Sequence, residues 1–137
     1  MVNLYRMRQL MRQTLKVQWK IEQEEAKATK ITTVLTGMPH GDGGHDQVAD
    51  GAINILTIKE AYHEVLNELQ QMRAELSPLL DSLDNPDDRA VMRLRYEKGF
   101  SPEDIADAIH RTDRSIYYYL SRAEDQLVRK HPDKVSK

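Results

Sequence analysis

The sequence predicts an all-α chain: a long antiparallel helical hairpin followed by a small three-helix helix-turn-helix domain. Three observations predict it. Residues 3–35 and 52–83 carry apolar residues that step by three and four, the repeat of one helix face. Residues 101–129 hold two shorter helix patterns, each opened by a hydroxyl-bearing residue suited to cap a helix. The composition, 39% hydrophobic, 31% charged and 6% aromatic, suits helices with modest cores.

In residues 3–35 the stripe runs Met7, Leu10, Thr14, Val17, Ile21, Glu24, Ala28, Ile31 and Leu35, a heptad-like seam meant for another helix. Arg6, Arg8, Arg12, Lys16 and Lys20 crowd the first half of this helix, as a solvated face or as a set of phosphate contacts. Trp19 lies off the seam and widens the packing face. Residues 36–51 hold five glycines and one proline and read as a loop. Its His40, Asp42, His45 and Asp46 are of the types that share a divalent ion, but no helical spacing fixes them, and no metal is expected there. The glycines lack the Gly-Lys-Ser/Thr element of a phosphate loop.

The stripe in residues 52–83 is Ile55, Ile58, Tyr62, Val65, Leu69, Met72, Leu76, Leu79 and Leu83, apolar at every step. Pro78 falls inside it, and a kink or break is expected there because proline removes one helical hydrogen bond and clashes with the preceding turn. Two half-covered seams leave apolar surface that a second copy would bury, so residues 1–83 are expected to oligomerise as a dimer. Asp84-Asn85-Pro86-Asp87-Asp88 then starts another helix, with Asp87 and Asp88 as acids at its positive end, and Gly99 closes it. Arg89, Arg93, Arg95 and Lys98 on this helix are phosphate candidates.

Ser101 caps the next helix, Pro102 suits its first position, and Ile105, Ala106 and Ile109 form its apolar stripe. Thr112 caps the last helix, which runs to about Arg129 with Ile116, Leu120, Ala123 and Leu127 on one face. Asp113, Arg114, Tyr117, Tyr118 and Ser121 are then left pointing away from the core. A second helix exposed in this way is free to enter a major groove.

Asp104-Ile105-Ala106, Thr112-Asp113-Arg114-Ser115-Ile116 and Arg122-Ala123-Glu124-Asp125-Gln126-Leu127 resemble region 4 of the sigma-70 family. The family has Leu-Gly at the turn and this chain has Ile109-His110, so His110 is asked to take the left-handed conformation that glycine adopts cheaply. The Thr-Gly-Met-Pro-x-Gly-x-Gly-x-x-Asp segment ahead of a long helix and this C-terminal part is similar to small phage-encoded ArpU-like transcriptional regulators. These resemblances imply a phage or prophage regulator that binds double-stranded DNA through residues 84–137. The candidate contacts are Arg111, Asp113, Arg114, Ser115, Tyr117, Tyr118, Ser121 and Arg122, with Lys98 and Arg122 placed nearer the phosphates. Residues 1–83, with the Gly-rich loop 36–51, form the oligomerisation region.

Charge distribution keeps a second reading open. The net charge is −2; residues 1–35 carry seven Lys/Arg against three Glu, residues 36–83 two against eight, and residues 84–137 eleven against eleven. A balanced helix-turn-helix favours an interaction protein that binds RNA polymerase or another protein through its coiled-coil half; a DNA-packaging recognition subunit shares the same plan. No arrangement of nucleophile, base or paired acids points to catalysis, and no cofactor is expected. The absence of cysteine excludes disulfides and fits a reducing compartment. No run approaches 18 apolar residues and no signal-peptide segment opens the chain, so a soluble protein of the bacterial cytoplasm, without a membrane partner, is expected.

Overall fold

A computed structural model describes the backbone of residues 1–37 and 43–137 and the side chains of residues 1–27 and 55–137. The chain is all-α, as the periodicity predicts. Helix α1 spans Leu4–Gly37, α2 Gly43–Leu80, α3 Pro86–Met92, α4 Pro102–Ile109 and α5 Asp113–Lys130, with one π-helical turn at Arg93–Glu97. Two short strands, β1 (Val2–Asn3) and β2 (Val135–Ser136), pair in parallel. The metal-ligand types His40, Asp42, His45 and Asp46 lie outside the residues whose side chains are described. Helical backbone starts at Gly43, inside the stretch read as loop from its glycines.

Backbone contacts divide the chain into two compact units, Met1–Met11 with Glu68–Lys137, and Arg12–Asn67. In the first, the start of α1 and the end of α2 run antiparallel: the N-terminal ammonium lies 3.9 Å from Glu75, and Arg6 grips Glu68 at 3.1 and 3.2 Å. Leu4, Met7 and Leu10 from α1 and Leu69, Leu76 and Leu80 from α2 are buried, as are Val91, Met92, Ile105, Ile116 and Leu127. The helix-turn-helix thus shares one core with both long helices. Val2 and Val135, each 1% exposed, close this core through the strand pair, and the Val2 amide donates to the Lys134 carbonyl at 2.8 Å. In the second unit Thr14, Val17, Ile21 and Glu24 on α1 and Ile55, Ile58, Tyr62 and Val65 on α2 are half-buried at the seam positions. Lys59 pairs with Glu25 at 3.1 Å across it.

Pro78 does not break α2. The helix continues to Leu80, because a proline this close to the end forfeits one hydrogen bond while buried Leu76 and Leu80 hold the turn on either side. The chain then leaves through a tight turn, with the Ser82 hydroxyl donating to the Leu79 carbonyl at 2.7 Å. Asn85 caps α3 by accepting from the Asp87 amide at 2.8 Å. In place of the plain helix to Lys98 that the sequence predicts, the turn widens at Arg93–Glu97. Two groups from α2 hold that turn: Arg73 Nε donates to the Tyr96 carbonyl at 2.6 Å and Ser77 Oγ donates to Glu97 at 2.8 Å. Gly99, at φ +76°, ends it in the left-handed region.

Candidate nucleic-acid interface

Both caps of the helix pair are formed. Ser101 Oγ accepts from the Asp104 amide at 3.1 Å and Thr112 Oγ1 accepts from the Ser115 amide at 3.2 Å. Between them His110 sits at φ 56°, ψ 48°, and the His110 and Arg111 amides both donate to the Ala106 carbonyl, the latter at 2.9 Å. The residue that replaces glycine therefore adopts the glycine conformation. His110→Gly is expected to raise thermal stability, by up to about 1 kcal/mol, since the side chain is exposed and only its left-handed strain is lost. Calorimetric melting of the two chains measures this; a lower melting temperature for the glycine variant contradicts it.

On α5 the sequence assigns the two faces correctly. Ile116, Leu120, Ala123 and Leu127 are buried, while Asp113, Arg114, Tyr117, Tyr118 and Ser121 are exposed, as is Arg111 just before the helix. Ser115 is half-buried, with its hydroxyl 2.8 Å from that of Thr112. Tyr117 donates its hydroxyl to Glu103 Oε1 at 2.8 Å, tying the exposed face of α5 to the first turn of α4. That bond holds the Glu103 carboxyl below the usual range and pushes the Tyr117 phenol up.

The cations sort into two groups. Arg89 donates to the Leu83 carbonyl at 2.6 Å, Arg95 to the Phe100 carbonyl at 3.1 Å, and Arg93 to Glu97 at 2.7 Å and to Asp81. The fold itself thus uses three of the four phosphate candidates of the α3 segment. The side chains of Lys98, Arg111 and Arg114 have no hydrogen-bond or ion-pair partner among the described residues, and all three are exposed. Arg122 is engaged: its Nε and Nη2 donate to the two oxygens of Asp88 at 3.1 and 2.6 Å.

Two clusters are not evident from the sequence reading. Asp88, read as a helix-start acid, is 1% exposed and paired with Arg122. Glu124, 8% exposed, accepts the Tyr96 hydroxyl proton at 2.5 Å and lies 3.5 Å from Arg8. A signal existed for both. Glu124 falls between Ala123 and Leu127 on the buried face of α5, and Asp88 precedes buried Val91 and Met92 by three and four residues.

Residues 76–127 match the family model described as Sigma-70, region 4. This segment, somewhat over a third of the chain, resembles that family. The match begins in the last turns of α2 and ends at Leu127 on α5, so it takes in every candidate contact from Lys98 to Arg122. It supports a DNA-binding helix-turn-helix. No curated protein and no solved structure matches the chain. Among the described residues no helix is long and apolar enough to cross a membrane, and no group of His, Asp or Glu is arranged to hold a metal ion.

Proposed function

We propose that the protein is a DNA-binding transcriptional regulator of phage or prophage type, acting in the bacterial cytoplasm and reading duplex DNA with α5. The observation that carries this is the exposed row Arg114, Tyr117, Tyr118 and Ser121, which begins one residue after the first position of α5, opposite its buried face, in a segment similar to sigma-70 region 4. Side chains near the start of such a helix reach base edges. Arg111 and Lys98, unpaired and exposed, suit phosphate contacts. The phage assignment rests only on the sequence resemblance to ArpU-like regulators that the Thr-Gly-Met-Pro-x-Gly-x-Gly-x-x-Asp segment, ahead of a long helix and the C-terminal part, suggests.

Residues 1–83 are the proposed assembly region and 84–137 the DNA-reading one. Support for a dimer comes from the second unit, where every described seam residue is only half-buried, and from Leu15 and Trp19, 66% and 63% exposed on α1. The same exposed pair, flanked by Lys16 and Lys20, favours a second reading in which this helix binds RNA polymerase or another protein.

The test is a fluorescence-anisotropy titration on promoter DNA of the encoding genome at several salt concentrations. Arg114→Ala is expected to lower discrimination between promoter and scrambled duplex by ~1–3 kcal/mol, the worth of a bidentate arginine–guanine contact. Lys98→Ala is expected to leave discrimination intact and reduce the slope of log K against log salt by about 0.9. If neither variant changes binding, the DNA-reading assignment yields to the interaction protein.

A further inference from the structure

We propose that Arg122 is a positioning residue that sets the orientation of Tyr118 for base contact and does not itself bind phosphate; this rests on the DNA-reading assignment of α5. The Asp88 side chain is 2% exposed, and both of its oxygens accept from the Arg122 guanidinium. A forked pair of this kind fixes the plane of the guanidinium as well as its place. Two consecutive rings lie beside the guanidinium: its carbon is 5.2 Å from the Tyr118 ring centre and 5.3 Å from that of Tyr119. The rings are tilted by 59° to each other, so the cation is cradled between them. Tyr118 is 60% exposed and Tyr119 half-buried. A chain of contacts therefore runs from a buried carboxylate in the first turn of α3 to an exposed aromatic ring on the outer face of α5.

A phosphate contact has other requirements. It needs cationic charge that is not already neutralised and donors turned to solvent. Arg122 commits Nε and Nη2 to a carboxylate that is buried and cannot move away, so the pair brings no net charge to a DNA backbone. Lys98, Arg111 and Arg114 carry that capacity instead. What Arg122 supplies is a restricted Tyr118 ring, which lowers the ordering cost of a base contact.

The experiment measures promoter and scrambled-duplex affinities against salt for the full chain and for Arg122→Lys, Tyr118→Ala and the double variants Arg122→Gln/Asp88→Asn and Tyr118→Ala/Arg122→Lys. Lysine preserves the charge opposite Asp88 and removes the flat face. Arg122→Lys is expected to fold and to lose about five- to tenfold in discrimination. In the Tyr118→Ala background the same change should cost less than about twofold, because its effect passes through the ring. Arg122→Gln/Asp88→Asn, which removes both charges of the pair together, should leave the salt slope unaltered. A readout independent of DNA is the NMR signal of the Arg122 Nε–H, expected to carry a ring-current shift from both rings that changes, without vanishing, when Tyr118→Ala leaves only Tyr119. Wild-type discrimination in a folded Arg122→Lys chain would overturn the proposal, as would a slope reduced by about 0.9 in Arg122→Gln/Asp88→Asn. Equal losses with and without Tyr118 would reduce Arg122 to a structural residue. If the wild-type chain shows no preference for any duplex, the DNA-reading assignment fails first and the proposal falls with it.

Discussion

Replacing Leu69 with an aspartate is expected to unfold the unit built from residues 1–11 and 68–137. Leu69 is 1% exposed within a single copy of the chain. The change removes the contribution of a buried leucine, about 2 kcal/mol or more, and places a carboxylate where no cation is paired to receive it. A combined loss above ~4 kcal/mol is comparable with the whole stability of a small domain. Because the burial is complete within one copy, the loss is one of folding and not merely of assembly. Far-UV circular dichroism at 25 °C and on heating measures it directly: the cooperative melt should be absent from the Leu69→Asp chain. Leu15→Asp is the contrasting variant. Leu15 is 66% exposed on α1, so the folding of a single copy should change by no more than about 0.5 kcal/mol, and any further loss that grows with chain concentration belongs to the proposed assembly. A Leu69→Asp chain that melts like the original would contradict the buried position.

Local chemistry was the legible part of this sequence. Ser101, Thr112 and Asn85 cap the helices whose starts they mark in the sequence, because a cap depends on residues two or three positions apart. The stripe Ile116, Leu120, Ala123 and Leu127 of α5 is buried at all four positions, since a 3-and-4 repeat leaves a helix one way to face its core. His110 could be assigned a left-handed backbone from the resemblance to sigma-70 region 4, because it stands where that family has glycine. Long-range pairing was not legible. Nothing in the local pattern says that Val2 meets Val135, or that Arg73 reaches the Tyr96 carbonyl and supports a π-helical turn. The break expected at Pro78 does not form, because the burial of Leu76 and Leu80 outweighs the one hydrogen bond the proline removes, and that burial depends on elements distant in sequence. At the candidate interface the exposed residues of α5 followed from periodicity, but the separation of Arg122 and Arg93 from the unpaired Arg111 and Arg114 required knowing where Asp88, Asp81 and Glu97 lie.

The second large effect is expected at Arg8, Tyr96 and Glu124, which join α1, the π-helical turn and α5. Tyr96 is fully buried and donates its hydroxyl to Glu124 Oε1 at 2.5 Å. Arg8 Nη1 donates to the Tyr96 hydroxyl oxygen at 3.0 Å and pairs with Glu124 at 3.5 Å. Arg8→Ala leaves the buried carboxylate with a phenol and no cation. The loss for a fully buried pair is about 3–5 kcal/mol; with the Arg8 side chain 24% exposed, about 2–4 kcal/mol is expected. The same cluster sets an alkaline limit. Burial first, and then the Glu124 charge, push the Tyr96 phenol well above its ordinary value of 10.0. The folded chain thus holds this proton more tightly than the unfolded chain, so the stabilisation is complete below about pH 10 and is lost as pH rises beyond it. Urea denaturation at pH 8 and pH 11 should show stability falling, and the fall should be shallower in Tyr96→Phe, which has no proton to lose there. In the wild-type chain, with six tyrosines, absorbance at 295 nm should show one group ionising only as the helical signal disappears. Ionisation of all six while the helices stay intact would show that Tyr96 is not held protonated by the fold.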